Sequence, residues 1–357
     1  MVKVGSSSLT TSRGRLSASR LARVVGGVVR VRPGRHVALV SSGAIASGWP
    51  ALGGAGRPKD MPGLQAAAAV GQGRLLGAYA QSFAAHRVTV GQVLLTQDDF
   101  LRRQHFVNAR NTIERLLRAG VVPVVNENDT VATEEIRFGD NDRLAALVAV
   151  MTGADLLVLL SDVGGIYTHD PRRGGARLLR ELTLDGSEAV SATGPHRGQG
   201  GMASKLDAAR IASAAGIPVV VADAMGTDVL ARILSGAEVG TLIAPRGRKV
   251  RGKKTWIGFA IGAMGRVVVD GGAERALRQR GASLLPRGVI GVEGSFGIDD
   301  PVDVTGHEGR PFARGISAYS AEDLRTLVAG GPGPYDGAFT RPVIHRDELV
   351  VMEPWQT

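Results

Sequence analysis

The sequence predicts an α/β fold, an open and mostly parallel sheet sandwiched by helices, followed by a small mixed, mainly β module. Three observations predict it. Short β-branched runs alternate with alanine-rich amphipathic stretches through the first two-thirds of the chain, the pattern of βαβ units. Fifty glycines and only 4% aromatics in 357 residues imply many tight turns and cores of aliphatic side chains rather than rings. Near residue 245 the texture changes, because Arg246 to Lys254 holds six basic residues in nine with two glycines. Such a stretch cannot bury a core and reads as a linker. The expected division is a first domain over residues 1–245, a basic linker over 246–254 and a second domain over 255–357.

Val2 to Val4 opens the sheet, and His36 to Val40, Val88 to Leu95, Val121 to Val125, Leu156 to Leu160 and Pro218 to Ala222 follow. Each is an apolar run too short for a helix, and helices fill the intervals. Two of these runs lead straight into polar turns, Ser41-Ser42-Gly43 and Asn126-Glu127-Asn128-Asp129. Ligands sit at such carboxyl ends in open parallel sheets. Beyond the linker, Gly, Pro and Asp turns separate strands expected at Arg266 to Asp270, Val289 to Val292, Val302 to Val304, Ala313 to Ala318 and Pro342 to His345. Two short helices are expected there, near Glu274 to Arg280 and Ala321 to Val328.

Composition excludes several function classes. With 44% hydrophobic and 21% charged residues the chain buries a sizeable core. It has no apolar run of about 18 residues and no signal-peptide zones at its N-terminus, so the expected location is the cytoplasm. Zero cysteines exclude disulfides and thiolate catalysis, and the seven histidines show no metal-ligand spacing, so any metal is expected to arrive with a substrate. The net charge of +10 favours phosphates and nucleic acids as partners, although arginines spread along the whole chain also fit a simple compositional bias.

Five constellations carry chemistry. In Val2-Lys3-Val4-Gly5-Ser6-Ser7-Ser8 a strand delivers a lysine and then a small-residue turn whose amides can face an anion. Ser41-Ser42-Gly43-Ala44 puts hydroxyls and a glycine amide at a strand-to-helix junction, where a serine could equally cap the helix. Asn126 to Asp129, Thr133-Glu134-Glu135 and Gly139-Asp140-Asn141-Asp142 crowd carboxylates and amides that can hold an amino acid's ammonium and carboxylate. Ser161-Asp162-Val163-Gly164-Gly165 follows another buried strand. Finally, Gly198-Gln199-Gly200-Gly201-Met202-Ala203-Ser204-Lys205 opens a helix with an anion cradle and a lysine in its first turn. It is neither a Walker loop nor a Rossmann fingerprint. In isolation each could be a solvated turn. Together they give two lysines, two anion turns and no evident nucleophile or base, which suits phosphoryl transfer to an acceptor that is already ionised.

These residues also carry a resemblance. V-K-V-G-S-S at Val2, S-G-A-I-A at Ser42, V-G-Q-V-L-L-T at Val90, V-N-E-N-D-T-V-A-T at Val125, F-G-D-N-D-R-L at Phe138, S-D-V-G-G-I-Y at Ser161 and G-G-M-A-S-K at Gly200 occur in one order. In this the chain resembles the glutamate 5-kinase family of the amino acid kinase superfamily, joined to a PUA domain. The resemblance implies that Lys3 and Lys205 flank the transferring phosphoryl while Asp142 holds them. It implies that Ser42, Asp129 and Asn141 bind glutamate. Lys3, Ser161 and Asp162, with the loop Gln199, Gly200, Gly201, Met202, Ala203, Ser204 and Lys205, would line the pocket for ATP, which brings Mg2+. The product implied is glutamyl 5-phosphate, the first intermediate towards proline. Proline as a feedback inhibitor, a dimer or tetramer, and RNA as a ligand of the PUA domain are implied in the same way.

Two positions depart from the family pattern. Lys3 stands almost at the beginning of the chain, where relatives carry several residues before the first strand, which raises the expectation of a start upstream of Met1. Gln199 stands where threonine is usual, of little consequence if backbone amides do the binding. Kinases for acetylglutamate, aspartate or UMP share the lysine and glycine-loop logic; the N-E-N-D and G-D-N-D pair and the PUA-like tail favour glutamate. An RNA-binding protein with a vestigial kinase fold is a further alternative, opposed by the intact lysines.

Overall fold

The computed structural model describes residues 1–11, 14–53, 56–131, 141–171, 174–184, 201–245, 257, 263–330 and 341–351. These residues form two compact units, the first running through Pro245 and the second lying beyond it. The expected linker over 246–254 falls outside the described residues.

In the first unit β1 (Val2–Val4) is followed by the one-turn helix α1 (Ser6–Leu9), α2 (Ala18–Val31), β2 (Leu39–Ser41), α3 (Ala44–Gly48) and α4 (Met61–Ala84). Then come β3 (Val90–Leu95), α5 (Gln97–Leu101), α6 (Arg103–Arg118), β4 (Val122–Glu127), α7 (Asn141–Thr152) and β5 (Leu157–Ser161). β6 (Glu181–Leu182), α8 (Met202–Ala214), β7 (Val219–Asp223), α9 (Val229–Leu234) and β8 (Thr241–Ile243) complete it. The eight strands lie in the order β3-β4-β2-β1-β5-β7-β8-β6. All neighbours pair in parallel except β7 with β8, so the sheet is mostly parallel, as the alternating pattern predicts.

Successive crossovers first extend the sheet on one side of β1 and then, from β5, on the other. β1 therefore flanks the topological switch point at which open sheets bind ligands. Val2 and Val4 of β1 join Val24, Val25 and Val28 of α2 and Tyr79 and Phe83 of α4 in a core cluster. Helix α2 shows why a helix forms here. Leu21, Val24, Val25, Val28 and Val31 recur at helical spacing and are all buried, while Ser17 caps the N-terminus by accepting a hydrogen bond from the Arg20 amide.

The apolar runs place the strands but not their carboxyl ends. β2, β4, β5 and β7 each continue one or two residues past the run, to Ser41, Glu127, Ser161 and Asp223. Ser41, Asn126 and Glu127, expected in turns, are buried strand residues. The cause is the ladder itself. Ser41 pairs with Val4, Glu127 with Leu95 and Ser161 with Asp223, and backbone pairing continues where side-chain polarity has already changed.

In the second unit β9 (Gly265–Val269), α10 (Gly271–Arg280), β10 (Val289–Gly294), β11 (Pro301–Thr305), β12 (Pro311–Ile316), α11 (Ala321–Ala329) and β13 (Leu349–Val351) build a mixed five-stranded sheet in the order β10-β9-β11-β12-β13. Its core includes Val267, Val269, Leu277, Val302, Val304, Phe312 and Leu324. The strand expected at Pro342 to His345 does not form. Val343 donates to the Leu284 carbonyl at 2.7 Å and accepts from the Ala318 amide at 2.8 Å, so these buried residues are tied as coil with a single bridge, Leu284 to Ile344. The final strand lies further on, at Leu349–Val351 against β12.

Candidate active site

At the carboxyl ends of β1, β2, β4 and β5 the first unit opens a polar cavity of about 680 Å³. β1 carries Lys3 to its floor. The pleat sends Val2 and Val4 to one face and Lys3 to the other, where the lysine is only 2% exposed. Its Nζ lies 2.5 Å from Oδ1 of Asp142, which stands in the first turn of α7 and is fully buried. The other carboxylate oxygen of Asp142 accepts from Nζ of Lys205 at 3.0 Å. Lys205 belongs to the first turn of α8, whose N-cap is Gly201, and is itself buried. One carboxylate thus holds two ammonium groups from segments 202 positions apart, between its own two oxygens. Buried charges of this kind persist only when paired and hydrogen-bonded.

Beside the lysines runs an amide and hydroxyl network. After β2 the chain turns at Gly43, whose φ of 108° is a left-handed value that side chains resist, and α3 begins at once. Ser42 is fixed by its amide bonding to the Val4 carbonyl at 3.1 Å. The Asn141 amide nitrogen donates to the Ser42 hydroxyl at 2.9 Å, to the Asn126 side-chain oxygen at 3.0 Å and to the Ser41 carbonyl at 3.2 Å. Its buried Oδ1 has no hydrogen-bond partner among the described residues. Ser41 does not cap the helix; its hydroxyl meets that of Tyr79 at 2.9 Å. Burial pushes the Tyr79 phenol well above its ordinary pKa, against the opposing pull of that hydrogen bond, so it stays neutral.

Lys3, Lys205, Ser42, Asp129, Asn141, Ser161 and Asp162 all line this cavity. Asp142 lies beneath the lysines. Gly201, Met202, Ala203 and Ser204 form the N-cap and first turn of α8 without lining it, and Gln199 and Gly200 fall outside the described residues. Ser161 donates to the Asp162 carboxylate at 3.2 Å.

Sequence reading missed Gln72. From the middle of α4 it donates to the Glu127 carbonyl at 3.0 Å and accepts from Asn126 at 3.2 Å, which sets the end of β4. No signal in the sequence sets it apart, because Gln65 and Gln81 in the same helix carry the same amide. Trp49 and Arg57 also line the cavity, and nothing in their local sequence distinguishes them.

A doubly lysine-lined cleft at a sheet's switch point has the form of a small-molecule kinase. Residues 1–223 match the Amino acid kinase family, and the chain belongs to it. Residues 265–332 match the PUA domain, in the region of the second sheet.

Within the family the chain is similar to proteins named glutamate 5-kinase. The one from Streptomyces coelicolor is 48% identical over 99% of this chain and 96% of that protein; the one from Nocardia farcinica is 48% identical over 98% and 96%. Among solved structures, a carbamate kinase from Giardia lamblia bound to AMP-PNP superposes with a TM-score of 0.52 at 20% identity, covering 69% of this chain and 97% of that one. That likeness concerns the fold.

Proposed function

We propose that this protein is a glutamate 5-kinase, transferring the γ-phosphoryl of ATP to the side-chain carboxylate of L-glutamate to give glutamyl 5-phosphate, the first step towards proline. The observation that carries the reading is the pair of buried lysines on Asp142 at the floor of a cavity walled by amides, hydroxyls and carboxylates. The relatives named above support the same acceptor.

The mechanism follows from charge. A glutamate carboxylate oxygen attacks the γ-phosphorus as the bond to the β,γ-bridging oxygen breaks, and ADP leaves with that electron pair. The acceptor is ionised at neutral pH and needs no base. The loose transition state spreads negative charge over the peripheral oxygens. Lys3 and Lys205, preset by Asp142, meet that charge from two sides without reorganising. Ser42 and Asn141 orient the acceptor, and Asp129 takes its ammonium. Ser161, Asp162 and the loop of Gln199, Gly200, Gly201, Met202, Ala203 and Ser204 hold the nucleotide, which enters with Mg2+. Among the described residues no group of three or more His, Asp or Glu could hold a metal ion.

Proline is the proposed feedback ligand, a homo-oligomer (dimer or tetramer) the proposed assembly, RNA the proposed ligand of the PUA domain and the cytoplasm the proposed location. Among the described residues no helix is long and apolar enough to cross a membrane. A coupled assay of ADP release with ATP, Mg2+ and a panel of glutamate, acetylglutamate, aspartate and UMP, repeated with proline, tests the reading. Glutamate is expected to be the preferred acceptor, and preference for any other overturns it.

A further inference from the structure

A second cavity, of about 550 Å³, lies at the opposite, amino-terminal edge of the same sheet. Arg32, Arg35, His36, His86 and Arg118 line it, and among the described residues no carboxylate does. Val37, Val88 and Leu117 contribute an apolar floor. The polar rim is partly preset: Arg32 donates to the Gly120 carbonyl, and Arg118 pairs with Glu114 at 2.7 Å. An adjoining cavity shares Arg35, His36, Val37, Leu117 and Arg118 with this one and adds the carboxylates of Glu114 and Asp155. Arg35, His36, His86 and Arg118 are exposed.

An apolar floor under a few convergent basic groups, in a volume of this size, is the form of a small-ligand site, and guanidinium forks select phosphate over other anions. We propose that this cavity is a second ligand site, taking a small phosphorylated organic anion with its phosphate on Arg35 and Arg118 and its carbon body on the valine and leucine floor.

The fold connects this site to the cleft. His36 and Val37 lead into β2, whose far end delivers Ser41 and Ser42; Gly120 and Val121 lead into β4, whose far end delivers Asn126 and Glu127. At about 3.3 Å per residue the two sites lie roughly 20 Å apart along these strands. A ligand that shifts either strand therefore acts on the amide network of the cleft.

The test uses the full chain with its cleft filled by Mg2+, a non-hydrolysable ATP analogue and glutamate, titrated calorimetrically with phenyl phosphate and separately with inorganic phosphate at fixed ionic strength. The expected result is saturable one-to-one binding of phenyl phosphate, tighter than that of phosphate. It should weaken at least about tenfold in the Arg35→Gln/Arg118→Gln double variant and stay unchanged in Arg275→Ala, an exposed arginine of the second unit. Absence of saturable binding overturns the proposal, as does equal affinity in the double variant or equal affinity for the two probes. Loss of self-association in the double variant without probe binding overturns it in favour of a subunit contact. Because the cleft is filled, failure here leaves the kinase reading untouched.

Discussion

Asp142 has no exposed surface and serves two ammonium groups at once, so its replacement leaves two largely buried cations without their shared counter-charge. Asp142→Asn is expected to cost about 3–5 kcal/mol of stability, measured by denaturant unfolding. Adding Mg2+ and an ATP analogue should recover part of that loss, because the polyphosphate supplies the missing negative charge; no recovery would count against a phosphate position between the lysines. Lys205→Ala removes charge from that position while keeping Lys3 paired. Its turnover should fall by about 10²–10³-fold with an unchanged circular dichroism spectrum, whereas Asp129→Ala should chiefly raise the KM for glutamate. Near-normal turnover in the first, or an unaltered KM in the second, contradicts the assigned role.

At the scale of elements, the turn that presents Ser42 depends on how closely α3 approaches α4. A Cβ on Gly71 would stand 1.7 Å from the Ala44 carbonyl oxygen, and one on Gly48 would stand 1.9 Å from that of Ala67. Gly71→Ala should therefore destabilise the protein by about 1–3 kcal/mol. Gly73→Ala, two residues on in the same helix with nothing within 4 Å, should instead stabilise it by about 0.5–1 kcal/mol. Thermal unfolding of the pair checks the sign of each, and a neutral Gly71→Ala would refute the close-packing account.

This contact was not legible in the sequence, because a glycine in an alanine-rich helix looks the same whether it packs or faces solvent. The positions of the strands were legible, since runs such as Leu157 to Leu160 are too short and too apolar for anything else. Their polar ends were not, because Ser41, Glu127 and Ser161 belong to the ladder by backbone pairing alone. Lys3 and Lys205 stood out by the small-residue turns beside them. Gln72 carried no such mark, and its role comes from where tertiary packing puts it.

At the scale of the whole molecule, each unit closes its own core, around Val4, Val25 and Leu39 in the first and Val267, Val304 and Phe312 in the second. Binding of Mg2+ and an ATP analogue should raise hydrogen-exchange protection in β1, β2, β5 and α8 through ligand linkage and leave β9 to β13 unchanged. Added protection in those last strands would show that the cores do not respond separately.

The bond from Lys205 to Asp142 spans 63 positions, and Lys3 joins the same carboxylate from the other end of the unit. Contacts so distant along a chain form late, after local helices and hairpins. A ribosome that has released β1 to β4 has therefore made half of the sheet's strands but no centre for transfer, which still awaits Asp142 on α7 and Lys205 on α8. In a refolding experiment the return of turnover thus times the closing of the sheet, not its beginning.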